Sequence, residues 1–380
     1  MQRKLIVLAI AGALVAPAAM ADGNVSIYGA ANMSVDMTKD GAPTNGNSAN
    51  KVSSNESFFG IKGSTDLGGG YTAVAQIESA IALDGTATAA AGVNTSAMTG
   101  SKLAARDSFL GLAGGFGTVL AGTHDTPYKM ATRGMDVFAN TIADNRNLGT
   151  VHDIRLGNVL AYVSPKIANS VTIVGALVMG AENMNGAAAG STKGSALSLA
   201  GMYGAGPINA SVAYQTITIG SNNTGTLAAN SLGLGAGFVN AKLSAFKVGV
   251  GFTQDQFGVN VVLERPTISV AGAASVSQTN LYLGAKFHVS STDAIKAAYG
   301  KAGSTATAGA PANGATQMSI GYDHNLGKGT TVYALYTKVS NNTNGTYGLG
   351  QTADGEITGA QPGVANSAPS AISVGMNYAF

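Results

Sequence analysis

Groups able to carry acid–base or nucleophilic chemistry are sparse in this chain. Cysteine is absent, and His124, His152, His288 and His324 are the only histidines. His152-Asp153, with a serine nearby, is the one pairing that suggests a charge-relay hydrolase, yet no Gly-x-Ser-x-Gly elbow exists. Neighbouring side chains on a strand also project to opposite faces, so the two cannot both serve one nucleophile. Metal chemistry has no better support, since there are no thiolates, no metal-spaced histidine pair and no Asp-x-Asp-x-Asp-Gly loop. Gly233, Gly235 and Gly237 alternate without the third-glycine spacing or the helix of a nucleotide fingerprint. The reading is of a non-enzyme with no cofactor and no metal. Charge does gather in one long connection, His124 to Asp153, where Asp125, Asp136, Asp144 and Asp153 accompany Lys129, Arg133 and Arg146. Its length exceeds the ~12–15 residues usual for a structureless connection, which favours a working loop.

Strands must position that loop. Short alternating segments recur along the chain, near 24–35, 55–65, 71–82, 104–113, 117–123, 154–164, 170–181 and 195–203. They continue near 208–218, 243–253, 256–266, 278–289, 293–301, 315–324, 330–340 and 371–380, which makes sixteen. The last one shows the pattern best: Ile372, Val374, Met376, Tyr378 and Phe380 share one face, Ser373, Gly375, Asn377 and Ala379 the other. Tight turns rich in Gly, Pro and Asn alternate with long connections at about 83–103, 182–194, 219–240, 268–277, 302–314 and 341–369. Strands of 9–11 residues with every long loop at one end describe an all-β, antiparallel, up-and-down barrel that spans a membrane. Closure is obligatory there, because an open edge would leave backbone polar groups unpaired in hydrocarbon. Ser231 to Asn240 alternates partially. Counted alone it would make seventeen strands and separate the termini, so it is assigned to a loop, with eighteen strands open if another was missed. Aromatic residues near strand ends, Tyr28, Phe59, Tyr71, Phe109, Tyr162, Tyr333, Tyr378 and Phe380, are expected in the interfacial girdles.

The N-terminus adds a destination. Arg3 and Lys4, the apolar run Leu5 to Val15 and Ala19-Met20-Ala21 form a secretory signal over residues 1–21, leaving 22–380 as a single barrel domain. The signal holds the whole formal excess of +2, the difference between 21 Lys+Arg and 19 Asp+Glu. A mature chain without net charge gives no support to a nucleic-acid partner. Charged residues make up 11% of the chain, below the ~25% of ordinary globular proteins.

The blocks "NVSIYG" (24–29), "FGIKGSTDLGGGYTAVAQIE" (59–78), "RDSFLGLAGGFGTVLAG" (106–122), "NVLAYVSP" (158–165) and the terminal "NYAF" resemble the general porins of β-proteobacterial outer membranes. The resemblance implies a sixteen-stranded trimeric barrel with its third external loop, here about 124–153, folded into the pore. It also implies basic wall residues facing that loop: Lys62, which should point inward because Phe59 and Ile61 occupy the other face, with Arg106 and Arg155. Asp125, Lys129, Arg133, Asp136, Asp144 and Arg146 would line the other side, so that opposed charges set a transverse field. Phe58, Leu120, Thr123, Ala161 and Val163 replace polar or basic residues common in the family, which predicts a less basic, partly apolar eyelet. Tyr378 and Phe380 would form the signal read by the barrel-assembly machinery. The expected function is passive diffusion of small hydrophilic solutes and ions across the outer membrane, amid its lipid and lipopolysaccharide. The alternatives are a substrate-specific channel with the apolar eyelet or, less favoured, a barrel enzyme.

Overall fold

In a computed structural model of the protein, the described residues are 24–44, 46–85, 104, 106–149, 152–178, 194–218, 241–270, 272, 274–305, 312–350 and 363–380. The segment 231–240 and the signal region lie outside them. The chain begins with β1 (Asn24–Lys39), β2 (Ser48–Ser54), β3 (Phe58–Gly68), β4 (Tyr71–Ala80), β5 (Ser108–Gly114) and β6 (Gly117–Asp125). After the helix α1 (Pro127–Arg133) come β7 (Arg155–Val163), β8 (Val171–Val178), β9 (Ser195–Ala205), β10 (Ile208–Thr218), β11 (Ala241–Gln254) and β12 (Phe257–Val270). The remainder is β13 (Val276–Ser277), β14 (Asn280–His288), β15 (Asp293–Ala302), β16 (Ala315–Gly327), β17 (Thr330–Asn341) and β18 (Ser370–Ala379).

Every pairing is antiparallel, and β18 returns to β1 in register from Ala30↔Ala379 to Lys39↔Ser370, so the sheet closes. Eighteen segments make only sixteen barrel staves. β2 and β3 pair with the upper and lower parts of β1 respectively, as one stave broken at Asn55–Ser57. β13 and β14 likewise share β12. The long connection expected at 268–277 is therefore shorter than anticipated, because β12 runs to Val270 and β13 resumes the ladder at Val276.

Alternation decides the facing. Ile372, Val374, Met376 and Tyr378 on β18 are all exposed, while Ser373 is buried. Val25, Ile27, Val35 and Met37 on β1 repeat the pattern. An outward apolar face with small or polar residues inward is the signature of a lipid-facing barrel. No described helix is long and apolar enough to cross a membrane; the strands do the crossing. Three of the expected girdle aromatics point the other way. Tyr28 lies on the Asn32/Asp36 face of β1 and donates to Glu78 Oε2 at 3.0 Å. Tyr333 is buried against Asn32 and Asn55, and Phe109 packs on His124. Their parity places them in the bore, whatever their distance from the strand end. Glycine makes room for two of these rings: a Cβ on Gly60 would meet Tyr28 at 2.4 Å and one on Gly375 would meet Tyr333 at 2.3 Å.

Candidate pore constriction

The segment between β6 and β7 turns into the barrel and lies along one side of its wall. Its two short helical pieces are locally specified. Thr126 caps α1, accepting from Lys129 N at 3.3 Å, and Pro127 follows where a missing N–H costs nothing. Asp144 Oδ1 accepts from Arg146 N at 3.0 Å to start a single 3-10 turn over Asn145–Leu148, which Gly149 ends at φ 86°.

The seat for this loop is made by small inward residues of the wall. A Cβ on Gly249 would strike Met135, one on Gly300 would strike Leu148, and one on Gly321 would strike Phe138, each at under 3 Å. Tyr128 rests on Ala200, Ala213 and Ala245. Phe138 and Ile142 join a cluster with Leu335, Val339, Tyr347 and Leu349. Burying one such large side chain contributes about 1.5–3 kcal/mol, so the apolar anchors alone hold the loop firmly. Polar ties fix its path: Tyr128 N donates to Ser198 Oγ (3.0 Å), Val137 N to Tyr282 OH (2.9 Å) and Asn32 Nδ2 to Asn140 O (2.7 Å). Gln317 Nε2 donates to Ala143 O (2.8 Å) and Gln215 Nε2 to His152 O (3.0 Å). Those partners sit on β1, β9, β10, β14 and β16; the inward face from β3 to β6 is left outside the seat.

The charged residues expected across open water are instead paired at short range. Arg146, fully buried, bridges Glu56 and Asp144, the latter at 3.0 Å. Arg133 reaches Glu56 at 3.3 Å, Asp144 at 2.9 Å and Asp136 at 3.9 Å. Asp136 also accepts from Tyr282 OH and from the Phe138 and Asn145 amides, each at 2.9 Å. Asp125 pairs with Lys129 at 3.1 Å and with Arg155 at 3.0 Å, and Arg155 also takes Asp107 at 2.6 Å. Arg106 pairs with Glu78 at 2.5 Å and lies over the Phe58 ring, 4.8 Å from its centroid. Asp153 pairs with Lys247, which also meets Glu264 at 3.4 Å. Low dielectric makes an unpaired buried charge costly, so these groups neutralise one another and tether the loop.

Lys62 differs from the rest. It is half-buried on the inward face of β3, its ammonium 5.0 Å from the centroid of the Tyr28 ring, and among the described residues it has no carboxylate partner. Glu56 was invisible to periodicity, because it sits in the break between β2 and β3. Its φ of 57° is a left-handed backbone rare for a side-chain-bearing residue. Neighbouring bonds hold the break open: Asn55 N to Asn32 O at 2.8 Å and Asn32 N to Ser57 Oγ at 2.9 Å.

Two loop groups titrate away from their ordinary values. Burial, reinforced by the Asp144 carboxylate, pushes Asp136 up to about 6. Burial, with Lys247 adding to it, pulls His152 down to about 3. Neither ring nitrogen of His152 has a hydrogen-bond partner, and the ring packs on Tyr128 at 5.8 Å. That geometry contains no relay to Asp153. A base depressed by folding contributes stability that is whole above its unfolded value of 6.5 and is lost as pH falls toward 3. Asp136, raised by folding, works in the opposite sense and loses its contribution as pH climbs toward 6. Replacing His152 by Gln isolates the first effect. Urea unfolding of wild type and variant in detergent should show their stability difference changing by about 1.4 kcal/mol per pH unit below 6.5. A difference independent of pH would contradict the burial of a neutral ring.

Fold and bore together define a closed, membrane-spanning β-barrel with a loop folded into its interior. Residues 7–345 match the family model described as Gram-negative porin, and the chain belongs to that family. Among curated relatives, the major outer membrane protein P.IB of Neisseria gonorrhoeae is 37% identical over 134 residues, 34% of each chain. P.IA of Neisseria meningitidis serogroup C is 30% identical over 175 residues, 40% of each. The matched stretches thus span only about a third of the first relative's length. An anion-selective porin from Comamonas acidovorans has the same fold, with a TM-score of 0.74 at 21% identity over 94% of this chain and 100% of that one. OmpT of Vibrio cholerae in its trimer form scores 0.67 at 15% identity over 94% and 99%. No group of histidine, aspartate and glutamate suited to a metal occurs among the described residues.

Proposed function

We propose that the protein is a passive channel for small hydrophilic solutes and ions, narrowed by residues 124–153 and carrying out no covalent chemistry. The observation behind this is the loop's one-sided seat: sixteen staves enclose a bore too wide for wall side chains to fill, and the loop occupies the part from β8 round through β18 to β1. The open passage then runs along β3–β6, past Lys62, Gln76, Phe58 and Tyr28. With Asp125, Asp136, Asp144, Asp153, Glu56 and Glu78 all paired to bases, Lys62 is, among the described residues level with the loop on the β3–β6 wall, the charge left for a passing ion to meet. A weak anion preference follows. In a planar bilayer under a KCl gradient the reversal potential should favour Cl⁻, and Lys62→Glu should move it toward K⁺. An unchanged reversal potential would remove Lys62 from the path.

A second reading, a channel with a specific solute, draws on the rings beside that path. Phe58 and Tyr28 meet edge to face at 5.9 Å and each carries a cation on its face. Block of the current by a micromolar aromatic solute would favour it. Assembly as a homotrimer, cleavage of residues 1–21 and recognition of Tyr378 and Phe380 by the barrel-assembly machinery complete the reading. The trimeric neighbour and the exposed terminal rings support it.

A further inference from the structure

The inner wall of the barrel is two-sided, and strand register sets its rows. Lys62 on β3 lies opposite Gln76 on β4, Gln76 opposite Phe109 on β5, Phe109 opposite Gly122 on β6 and Gly122 opposite Val159 on β7. Two residues nearer the short turns, the next row reads Ser64, Val74, Gly111, Leu120 and Ala161. Both rows face inward, because Ile61, Ile77, Leu110, Val119 and Leu160 beside them are exposed on the outer face. Leu120, Val159 and Ala161 form one apolar cluster against which Phe109 packs. Gly111 lets Val74 and Leu120 close over the backbone, since a Cβ there would meet them at 3.0 and 3.1 Å. A water-filled bore calls for polar groups on this face. Yet from β4 to β7 no described charged side chain points inward at the level of Lys62 or nearer the short turns.

The other side of the bore is polar. Toward the same end, Asn209 on β10, Asn260 on β12, Lys286 on β14, Asp323 on β16 and Asn377 on β18 all face inward. Asn209 and Asn260 lean together over Gly251, where a Cβ would strike both side-chain oxygens. Lys286 reaches Asp323 at 3.4 Å. A solute moving past Lys62 therefore has hydrogen-bonding groups on one side and apolar surface on the other. That contrast is the second observation. The Tyr28 ring, 5.0 Å from the Lys62 ammonium, and the half-buried Val74 and Phe109 surround the same charge with apolar surface.

We infer that the channel favours small carboxylates carrying a compact apolar body, the benzoate class, over hydrophilic anions of similar size. The carboxylate meets the Lys62 ammonium while the ring slides over Val74 and Phe109. Two residues along a strand span about 7 Å, room for a six-membered ring and its carboxylate to lie between the Lys62 row and the Val74 row. An apolar ring on an apolar wall removes surface of both from water. On a half-buried wall the gain is small, and a small gain suits passage, since a solute must leave as readily as it enters. The inference rests on the open β3–β6 side proposed above and names the solute class for the second reading.

The test uses the refolded mature protein in planar bilayers at alkaline pH, with potassium benzoate and potassium acetate as probes. Reversal potentials against KCl give each anion's permeability in the same channel, so acetate is the internal reference. Wild type should pass benzoate over acetate at a ratio above that of their mobilities in water. V74T/F109Q, which makes the wall polar at nearly constant volume, should lower the ratio about threefold. Val74→Thr alone, an isosteric change, should lower it in the same direction and serves if the double variant does not refold. Lys62→Gln should lower both carboxylates against K⁺ while their ratio stays close to the wild-type value. A wild-type ratio equal to the mobility ratio, or a ratio unmoved by the Val74 and Phe109 changes, would overturn the inference through the apolar wall. Both carboxylates unmoved against K⁺ by Lys62→Gln would overturn it through the passage beneath it, so the two failures are distinguishable.

Discussion

Arg146→Met should release the internal loop. Arg146 is fully buried and joins Asp144, on the loop, to Glu56, at the break in the wall. Removing its charge leaves two carboxylates in a dry site. Breaking a buried pair by deleting one partner costs about 3–5 kcal/mol. Arg133 lies 3.3 Å from Glu56 and 2.9 Å from Asp144 and can take over part of the compensation, so the single variant should fall at the low end. Arg133→Met with Arg146→Met should reach the high end. The cost falls mainly on the loop's attachment, because the ladder from β1 round to β18 involves neither side chain. Single-channel records should therefore show larger and noisier steps, while the protein still migrates as a folded barrel. Wild-type conductance from the double variant would show that these ions do not tether the loop.

Lys247→Met is the second large effect. The ammonium sits 4.1 Å from the centroid of the Tyr128 ring, beside Asp153 at the end of the loop and Glu264 on the neighbouring strand. All four groups are buried. Methionine keeps much of the packing but strands two carboxylates, and the expected loss is again about 3–5 kcal/mol by urea unfolding in detergent. Adding Glu264→Gln removes one stranded charge and should recover part of it, with a coupling of about 0.5–3 kcal/mol between the positions. Strict additivity would indicate that water reaches the cluster.

The exterior was legible because lipid imposes a period of two. The facing of Ile372–Tyr378 and of Lys62 against Ile61 follows from parity alone. Turn spacing separated the two ends of the barrel because most short connections carry Gly, Pro or Asn at the bend, although Asp255 and Ser290-Ser291 turn the chain without them. The same parity, applied to Tyr28 between Val25-Ile27 and Asn32, would have put that ring in the bore; position near a strand end was the wrong cue. β2 escaped notice because Ser48–Ser54 offers a single large apolar residue, Val52. The loop's seat was not legible at all. Gly249, Gly300 and Gly321 look like ordinary strand glycines until Met135, Leu148 and Phe138 are found above them. The charge pairing was hidden too, because composition lists acids and bases without saying which meet. Glu56 depends on a backbone break that no pattern announced.

If the loop fills one side of the bore and leaves the β3–β6 side open past Lys62, thiols placed on the two sides should differ in their reach from water. Because the natural chain has no cysteine, a single introduced thiol reports its own position. Lys62→Cys and Lys296→Cys place one thiol on the open wall and one beneath the loop, where Lys296 lies buried under Phe138 at 4.8 Å from the ring centroid. Adding a charged, water-soluble methanethiosulfonate to open channels in a planar bilayer should lower the conductance of the first promptly and leave the second unchanged. A prompt effect at 296 with none at 62 would place the open passage on the other side and contradict the account.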